Sequence, residues 1–275
     1  MNVRKIKKIV RGIETSDGAG VNLTRIIGTP ELNMLDPFLL LDEFGSNNPN
    51  DYIAGFPSHP HRGFETITYM LNGKFRHKDS AGNQGLLSDG SVQWMTAGRG
   101  VIHSEMPEQT EGLVRGFQLW LNLPKRLKMT TPSYHDIPNE TIPQIDFPGG
   151  KIKIISGKFQ NITGPGNPHT GMFYHDITLN KDSNFSMPLN DGWNVFIYVY
   201  EGSIVINKKV QYKNLAVLNN IGDLEIFTKN DNAKFILIGG EPLNEPVARG
   251  GPFVMNTKQE ILQAFSDYQN GLLCK

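Results

Sequence analysis

Two short segments, His59-Pro60-His61-Arg62-Gly63-Phe64-Glu65-Thr66 and Gly98-Arg99-Gly100-Val101-Ile102-His103-Ser104-Glu105, bring together three imidazoles and two carboxylates. Residues two apart on an extended strand point to the same side. His59 and His61 can therefore face one ion, and His103 with Glu105 repeats the spacing. A donor set of nitrogen and oxygen without thiolate suits Fe, Mn, Ni, Cu or Zn, and disfavours an iron–sulfur cluster or a Cys-rich structural zinc. A single His-x-His is equally compatible with two surface imidazoles. The second His-x-carboxylate pair, in its own glycine-flanked setting, is what points to a metal centre. Spacing alone leaves the carboxylate open. Glu65 lies an even number of residues from both His59 and His61, but Gly63 can bend the chain between them.

The elements that must position these residues read as β-strands. The stretch from His59 to Leu71-Asn72-Gly73 lines up without gaps on the stretch from Pro188 to Tyr200-Glu201-Gly202. Asn72-Gly73 predicts a type I′ hairpin turn, and Glu201-Gly202 fills the same slot after the run Val195-Phe196-Ile197-Tyr198-Val199-Tyr200. Ser88-Asp89-Gly90 and Asn220-Ile221-Gly222-Asp223 repeat a second turn leading into a strand. In the second copy His59, His61 and Glu65 become Pro188, Asn190 and Asn194, while His103 and Glu105 fall near Phe235 and Leu237, so only the first copy carries the ligands. Short strands with Gly/Asn/Asp/Pro turns at regular spacing predict an all-β fold of two cupin or jelly-roll barrels, a bicupin. The expected domains are residues 1–135, metal-binding, and 136–275, without metal ligands. The join is expected in Thr130 to Gly150, where four prolines and a Gly pair interrupt regular structure. Helix is scarce: Thr257-Lys258-Gln259-Glu260 reads as a capping box before the apolar stripe Ile261, Leu262, Phe265 and Tyr268, closed by Gly271, and a short helix is expected from Pro124 to Met129.

Composition removes several classes. Among 275 residues, 27 Lys and Arg balance 27 Asp and Glu, which gives no phosphate-tracking surface for nucleic acid or anionic membrane. No run approaches the roughly 20 apolar residues of a membrane span. The basic start Met1 to Arg11 lacks an apolar region after it, so it reads as a solvated strand face, not a secretory signal. The only Cys is Cys274, so no internal disulfide forms and a cytoplasmic location is expected, nuclear being open if the source is eukaryotic.

Long motifs in order now carry a resemblance. Asp36-Pro37-Phe38-Leu39-Leu40-Leu41-Asp42-Glu43-Phe44-Gly45, the His59 to Thr66 segment, Gln93-Trp94-Met95-Thr96-Ala97-Gly98-Arg99-Gly100, His103-Ser104-Glu105-Met106-Pro107 and Gly251-Pro252-Phe253-Val254-Met255-Asn256-Thr257 together resemble the pirin family across nearly the whole chain. The resemblance implies a bicupin with one mononuclear Fe(II) in the N-terminal cupin, held by His59, His61, His103 and Glu105, with Ni, Mn, Cu or Zn as alternatives. It places Glu65 near the site instead of on the metal. It also implies a quercetin 2,3-dioxygenase activity on a flavonol-like aromatic and O₂, releasing carbon monoxide. Glu105 is then the candidate proton acceptor from the substrate 3-hydroxyl, with Glu65 as the other candidate.

Arg62 could steer an anionic substrate or hold a loop by bonding carbonyls. Phe56 and Met95 could line an apolar mouth, and Gln118 the pocket if its strand face points inward. His77, His135, His169 and His175 have no second ligand at matching spacing and read as surface or structural groups. The alternative function is a non-enzymatic, metal- and redox-sensitive regulator that binds a transcription factor or metabolic enzyme, in which case the partner is a protein and not DNA. A weaker reading, a sugar-phosphate isomerase, needs basic residues at the pocket, and only Arg62 and Arg99 lie close in sequence.

Overall fold

The computed structural model describes residues 2–275. It is built from β-strands, three short 3-10 turns and one α-helix, and it divides into two compact units that are discontinuous in sequence. Among the described residues, one comprises 13–29, 37–139 and 243–275, the other 2–12, 30–36 and 140–242. The contact division between Asn139 and Glu140 lies inside the predicted join. It differs from a linear split at 135/136 mainly because each unit takes a terminal segment from the far end of the chain. The join is also less irregular than predicted, since Ser133–Ile137 and Gln144–Phe147 are both strands.

The unit carrying the histidines has a seven-stranded antiparallel sheet in the order Ser133–Ile137, Val92–Thr96, Phe64–Asn72, Val114–Asn122, Phe38–Ser46, Val21–Ile27, Ile13–Asp17. A four-stranded sheet in the order Phe56–His61, Val101–Pro107, Phe75–Asp79, Gln84–Leu87 completes it. A buried cluster of Val21, Leu23, Phe44, Tyr52, Met70, Phe75, Leu87 and Val114 draws residues from both sheets. Burial of this apolar surface is the main favourable term holding two such layers together. The C-terminal helix, Lys258–Gln269, belongs to this unit. Its capping box forms as predicted, with Thr257 Oγ1 accepting from the Glu260 N–H and Glu260 Oε2 accepting from the Thr257 N–H. The predicted stripe is only partly buried: Ile261 and Ala264 face inward, whereas Leu262 is 69% exposed. The helix expected from Pro124 to Met129 is a 3-10 turn, Lys125–Leu127.

The other unit repeats the plan. Its seven-stranded sheet runs Ile6–Arg11, Asn214–Leu218, Asn194–Glu201, Ala233–Gly240, Met172–Leu179, Gly150–Ser156, Gln144–Phe147, and its four-stranded sheet runs Asn184–Met187, Leu224–Phe227, Ser203–Val205, Lys209–Gln211. Two cupin-type domains are therefore present. The basic N-terminus is a strand with Ile6 and Val10 buried and Lys7 and Lys8 exposed.

The predicted hairpins are corrected in both copies. Strands Phe64–Asn72 and Phe75–Asp79 do not pair with each other, nor do Asn194–Glu201 and Ser203–Val205. Gly73 (φ 95°) and Gly202 (φ 68°) instead turn the chain from the large sheet into the small one. A left-handed glycine serves either purpose, and only the partners of the flanking strands decide which.

His175 sits fully buried in the apolar interior of this second unit, stacked on Phe173 at 5.1 Å, with neither ring nitrogen hydrogen-bonded. Burial pushes its imidazole down to about 3, from about 6.5 in an unfolded chain. The unfolded state thus binds the extra proton first. The contribution to stability is intact above pH 6.5 and is lost as pH falls, amounting to about 3 kcal/mol by pH 4.5. Hydrogen exchange in Met172–Leu179, compared at pH 7 and 4.5, is expected to show this loss in the wild type and a much smaller one in His175→Leu.

Candidate metal centre

The three histidines come from two neighbouring strands of the small sheet. His59 and His61 lie on Phe56–His61, and His103 on Val101–Pro107 pairs directly with His59. Their donor atoms all lie within 4.8 Å of one another, the only such group of three or more among the described residues. His61 and His103 are buried and His59 is half-buried.

The outward ring nitrogens fix the inward ones. His59 Nδ1 lies 2.8 Å from the Pro57 carbonyl and His61 Nδ1 3.3 Å from the Pro252 carbonyl. A carbonyl only accepts, so each Nδ1 carries the hydrogen and each neutral ring presents a bare lone pair at Nε2. Those two Nε2 atoms are 3.0 Å apart. Lone pair faces lone pair, an arrangement that a shared cation relieves. His103 Nδ1 is 3.0 Å from the Tyr134 hydroxyl, and its buried Nε2 has no hydrogen-bond partner. Burial and the neighbouring imidazoles push His61 down to about 3 and His103 well below its ordinary value, so both stay neutral and available as donors. The residues therefore fit a divalent transition metal of the nitrogen-binding kind.

Glu105 shares its strand face with His103 but lies outside the group of three. Its carboxylate accepts from Thr68 Oγ1 (3.0 Å) and from Gln118 Nε2 (3.1 and 3.3 Å). Glu65 is fully buried and accepts from Thr96 Oγ1 at 2.8 Å. It has the opposite parity to Thr68 on Phe64–Asn72, so it faces away from Glu105. The parity break occurs at Gly63, whose φ of 90° suits glycine and where an added Cβ would fall 2.0 Å from the Val254 carbonyl.

A cavity of about 780 Å³ opens onto His59 and His61. Leu23, Leu40, Phe44, Phe56 and Trp120 give it apolar walls, and Gln118, Asp17, Arg25, Asp42 and Arg249 line the rest. The Phe56 and Gln118 expectations thus fall on the cavity, while Met95 is packed with Ala97 and Val101. Arg62 requires a correction as a substrate residue. It is 4% exposed and does not line the cavity. Its guanidinium donates to the Arg99 carbonyl, to Asp267 at 2.6 Å and to the Leu273 carbonyl at 3.2 Å. It is the loop-holding alternative that the structure contains, tying the residue after His61 to the end of the chain. Nearby, the Lys128 ammonium is buried and donates to the Gly63 and Val254 carbonyls and to Asn122 Oδ1, at 2.8 to 2.9 Å.

Sequence reading missed Tyr134, Thr68, Arg25, Asp42 and Arg249. Tyr134 is stacked flat on His77 at 4.7 Å, and His77 in turn pairs with Asp136. No local spacing marks these residues. Asp42 stood in a motif that was informative only as a resemblance.

Two cupin-type units, one holding three convergent imidazoles, define a bicupin with a single candidate metal centre. Residues 20–121 match the Pirin family model and residues 174–273 match the model of the pirin C-terminal cupin domain. A pirin-like protein of Caulobacter vibrioides is 46% identical over 98% of this chain and 99% of its own length. The crystal structure of a quercetin 2,3-dioxygenase from Acinetobacter baumannii superposes with a TM-score of 0.92 at 33% identity, covering 99% of each chain. A bacterial pirin from Escherichia coli, solved in complex with nickel(II), shares the fold with a TM-score of 0.69 at 20% identity, over 86% of this chain and 98% of its own. The chain belongs to the pirin family.

Two outcomes follow. Tyr134→Phe removes the partner of His103 Nδ1 and is expected to weaken metal binding about 10- to 100-fold in a chelator competition. Arg62→Met is expected to lower stability by about 2–4 kcal/mol in denaturant unfolding. An unchanged unfolding curve would contradict its loop-holding role.

Proposed function

We propose that this protein is a mononuclear iron dioxygenase of the quercetin 2,3-dioxygenase type, with His59, His61, His103 and Glu105 as the ligands. The observation that carries the reading is the pair of bare Nε2 atoms 3.0 Å apart at the end of an aromatic-walled cavity. Family membership and the Acinetobacter baumannii enzyme of the same fold support it. When bound, the ion supplies Lewis acidity and the redox capacity that dioxygen chemistry needs.

The chain's own residues do the rest. Leu40, Phe44, Phe56 and Trp120 bury the flavonol rings and exclude water, which strengthens every polar interaction inside. His59 and His61 line the cavity and mark the end at which the substrate's 3-hydroxyl and 4-carbonyl would bind the ion. Glu105, held in orientation by hydrogen bonds from Thr68 and Gln118, is the acceptor for the 3-hydroxyl proton in this reading. Gln118 also accepts from Trp120 Nε1 at 3.2 Å, so one amide links the proton acceptor to the aromatic wall. Fe(II) is the proposed native ion, although the same donors take Ni, Mn, Cu or Zn.

Protein reconstituted anaerobically with Fe(II) is expected to consume oxygen and release carbon monoxide when oxygen and quercetin are added, and His61→Ala to do neither. Full metal occupancy without oxygen uptake would overturn the enzymatic reading and leave the metal-sensitive binding of a protein partner as its replacement.

A further inference from the structure

One cross-strand rung of the large sheet is polar through six strands. Arg25 pairs with Asp42, Asp42 with Gln118, Gln118 with Thr68, Thr68 with Gln93, and Gln93 with Asp136. The rungs on either side hold Leu23, Phe44 and Met70 in one direction and Leu40 and Trp120 in the other. A row of buried hydrogen-bonding groups flanked by these apolar side chains is unfavourable unless each finds a partner. Thr68 and Gln118 find theirs in Glu105. Asp42 finds Arg25, which grips it with Nε to Oδ1 at 3.0 Å and Nη2 to Oδ2 at 2.8 Å.

That grip leaves capacity on the carboxylate. Each oxygen accepts one N–H, and a carboxylate offers about four acceptor positions. Asp42 is 5% exposed and lines the cavity that His59, His61 and Gln118 also line. Its second contact is held in place, because Arg25 is itself anchored to Asp17 at 2.7 Å. A hydroxyl donor arriving in the cavity meets a fixed, desolvated acceptor. An apolar ring arriving there covers the remaining lone pairs and strips them of water.

We propose that Asp42, oriented by Arg25, is the specificity-determining residue of the cavity: it accepts a hydrogen bond from a ring hydroxyl remote from the atoms that face His59 and His61. The ligand class is therefore a polyhydroxylated aromatic, and the site disfavours an aromatic of the same shape that carries only the chelating pair. This rests on the flavonol reading above and deepens it. Sites built to hydrogen-bond a substrate hydroxyl discriminate far more strongly than sites that only match shape.

The test is equilibrium binding to Fe(II)-loaded protein under anaerobic conditions, where no turnover occurs, with quercetin and 3-hydroxyflavone as probes. Both present the same 3-hydroxy-4-carbonyl pair, and only quercetin carries further hydroxyls. Wild-type protein is expected to bind quercetin at least about tenfold more tightly. In Asp42→Asn the ratio is expected to fall below about threefold through weaker quercetin binding. Should Asp42→Asn misfold with Arg25 left unpaired, the neutral pair Asp42→Asn/Arg25→Gln provides the same comparison. Equal binding of the two flavonols by the wild type overturns the role of Asp42 while the flavonol reading stands. Binding of neither overturns both.

Discussion

The structure depends on two imidazole lone pairs held against each other. His59 and His61 each donate their Nδ1 hydrogen to a backbone carbonyl, so that in the neutral rings the Nε2 lone pairs face each other across 3.0 Å. In water such an arrangement would relax by rotation or protonation. Here His61 is buried and neutral, and the third imidazole, His103, adds another Nε2 without a partner. The fold keeps this arrangement in place, and a divalent cation is the group that converts the repulsion into coordination.

What holds it is the end of the chain. The carbonyl that fixes His61 belongs to Pro252, the neighbouring Gly63 is packed on Val254, and Arg62 is bound by Asp267 and Leu273. Lys128 donates at once to Gly63 and Val254, bridging the corner after the histidines to the returning segment. Residues 243–275 therefore belong physically with the histidine-bearing unit. On the opposite wall, the polar rung from Arg25 to Asp136 gives direction to an interior that would otherwise bind by shape alone. Its middle members, Thr68 and Gln118, hold Glu105, and its Arg25–Asp42 end lines the cavity.

Much of this was legible in the sequence, for identifiable reasons. The i, i+2 spacing of His59 with His61 and of His103 with Glu105 survives folding because both pairs lie on regular strands, where parity is fixed by the backbone. The repeat was legible because the two copies share their turn glycines, although Gly73 and Gly202 switch sheets instead of closing hairpins. The contacts between distant segments were not legible. That Arg62 meets Asp267, or that Tyr134 meets His103, depends on which strands become neighbours, and no local pattern encodes it. The rung was hidden for the same reason: its members are spread from residue 25 to residue 136 and align only through sheet register. Leu262 joined a predicted apolar stripe yet faces solvent, since it lies about 100° around the helix from the buried Ile261.

X-ray absorption on anaerobic Fe(II)-loaded protein tests the central claim most directly, because it reads the ligands themselves. The account predicts one iron per chain with three imidazoles and at least one oxygen donor and no sulfur, and loss of that signature in His103→Ala. Fewer than three imidazoles, or an unchanged signature in His103→Ala, would contradict it.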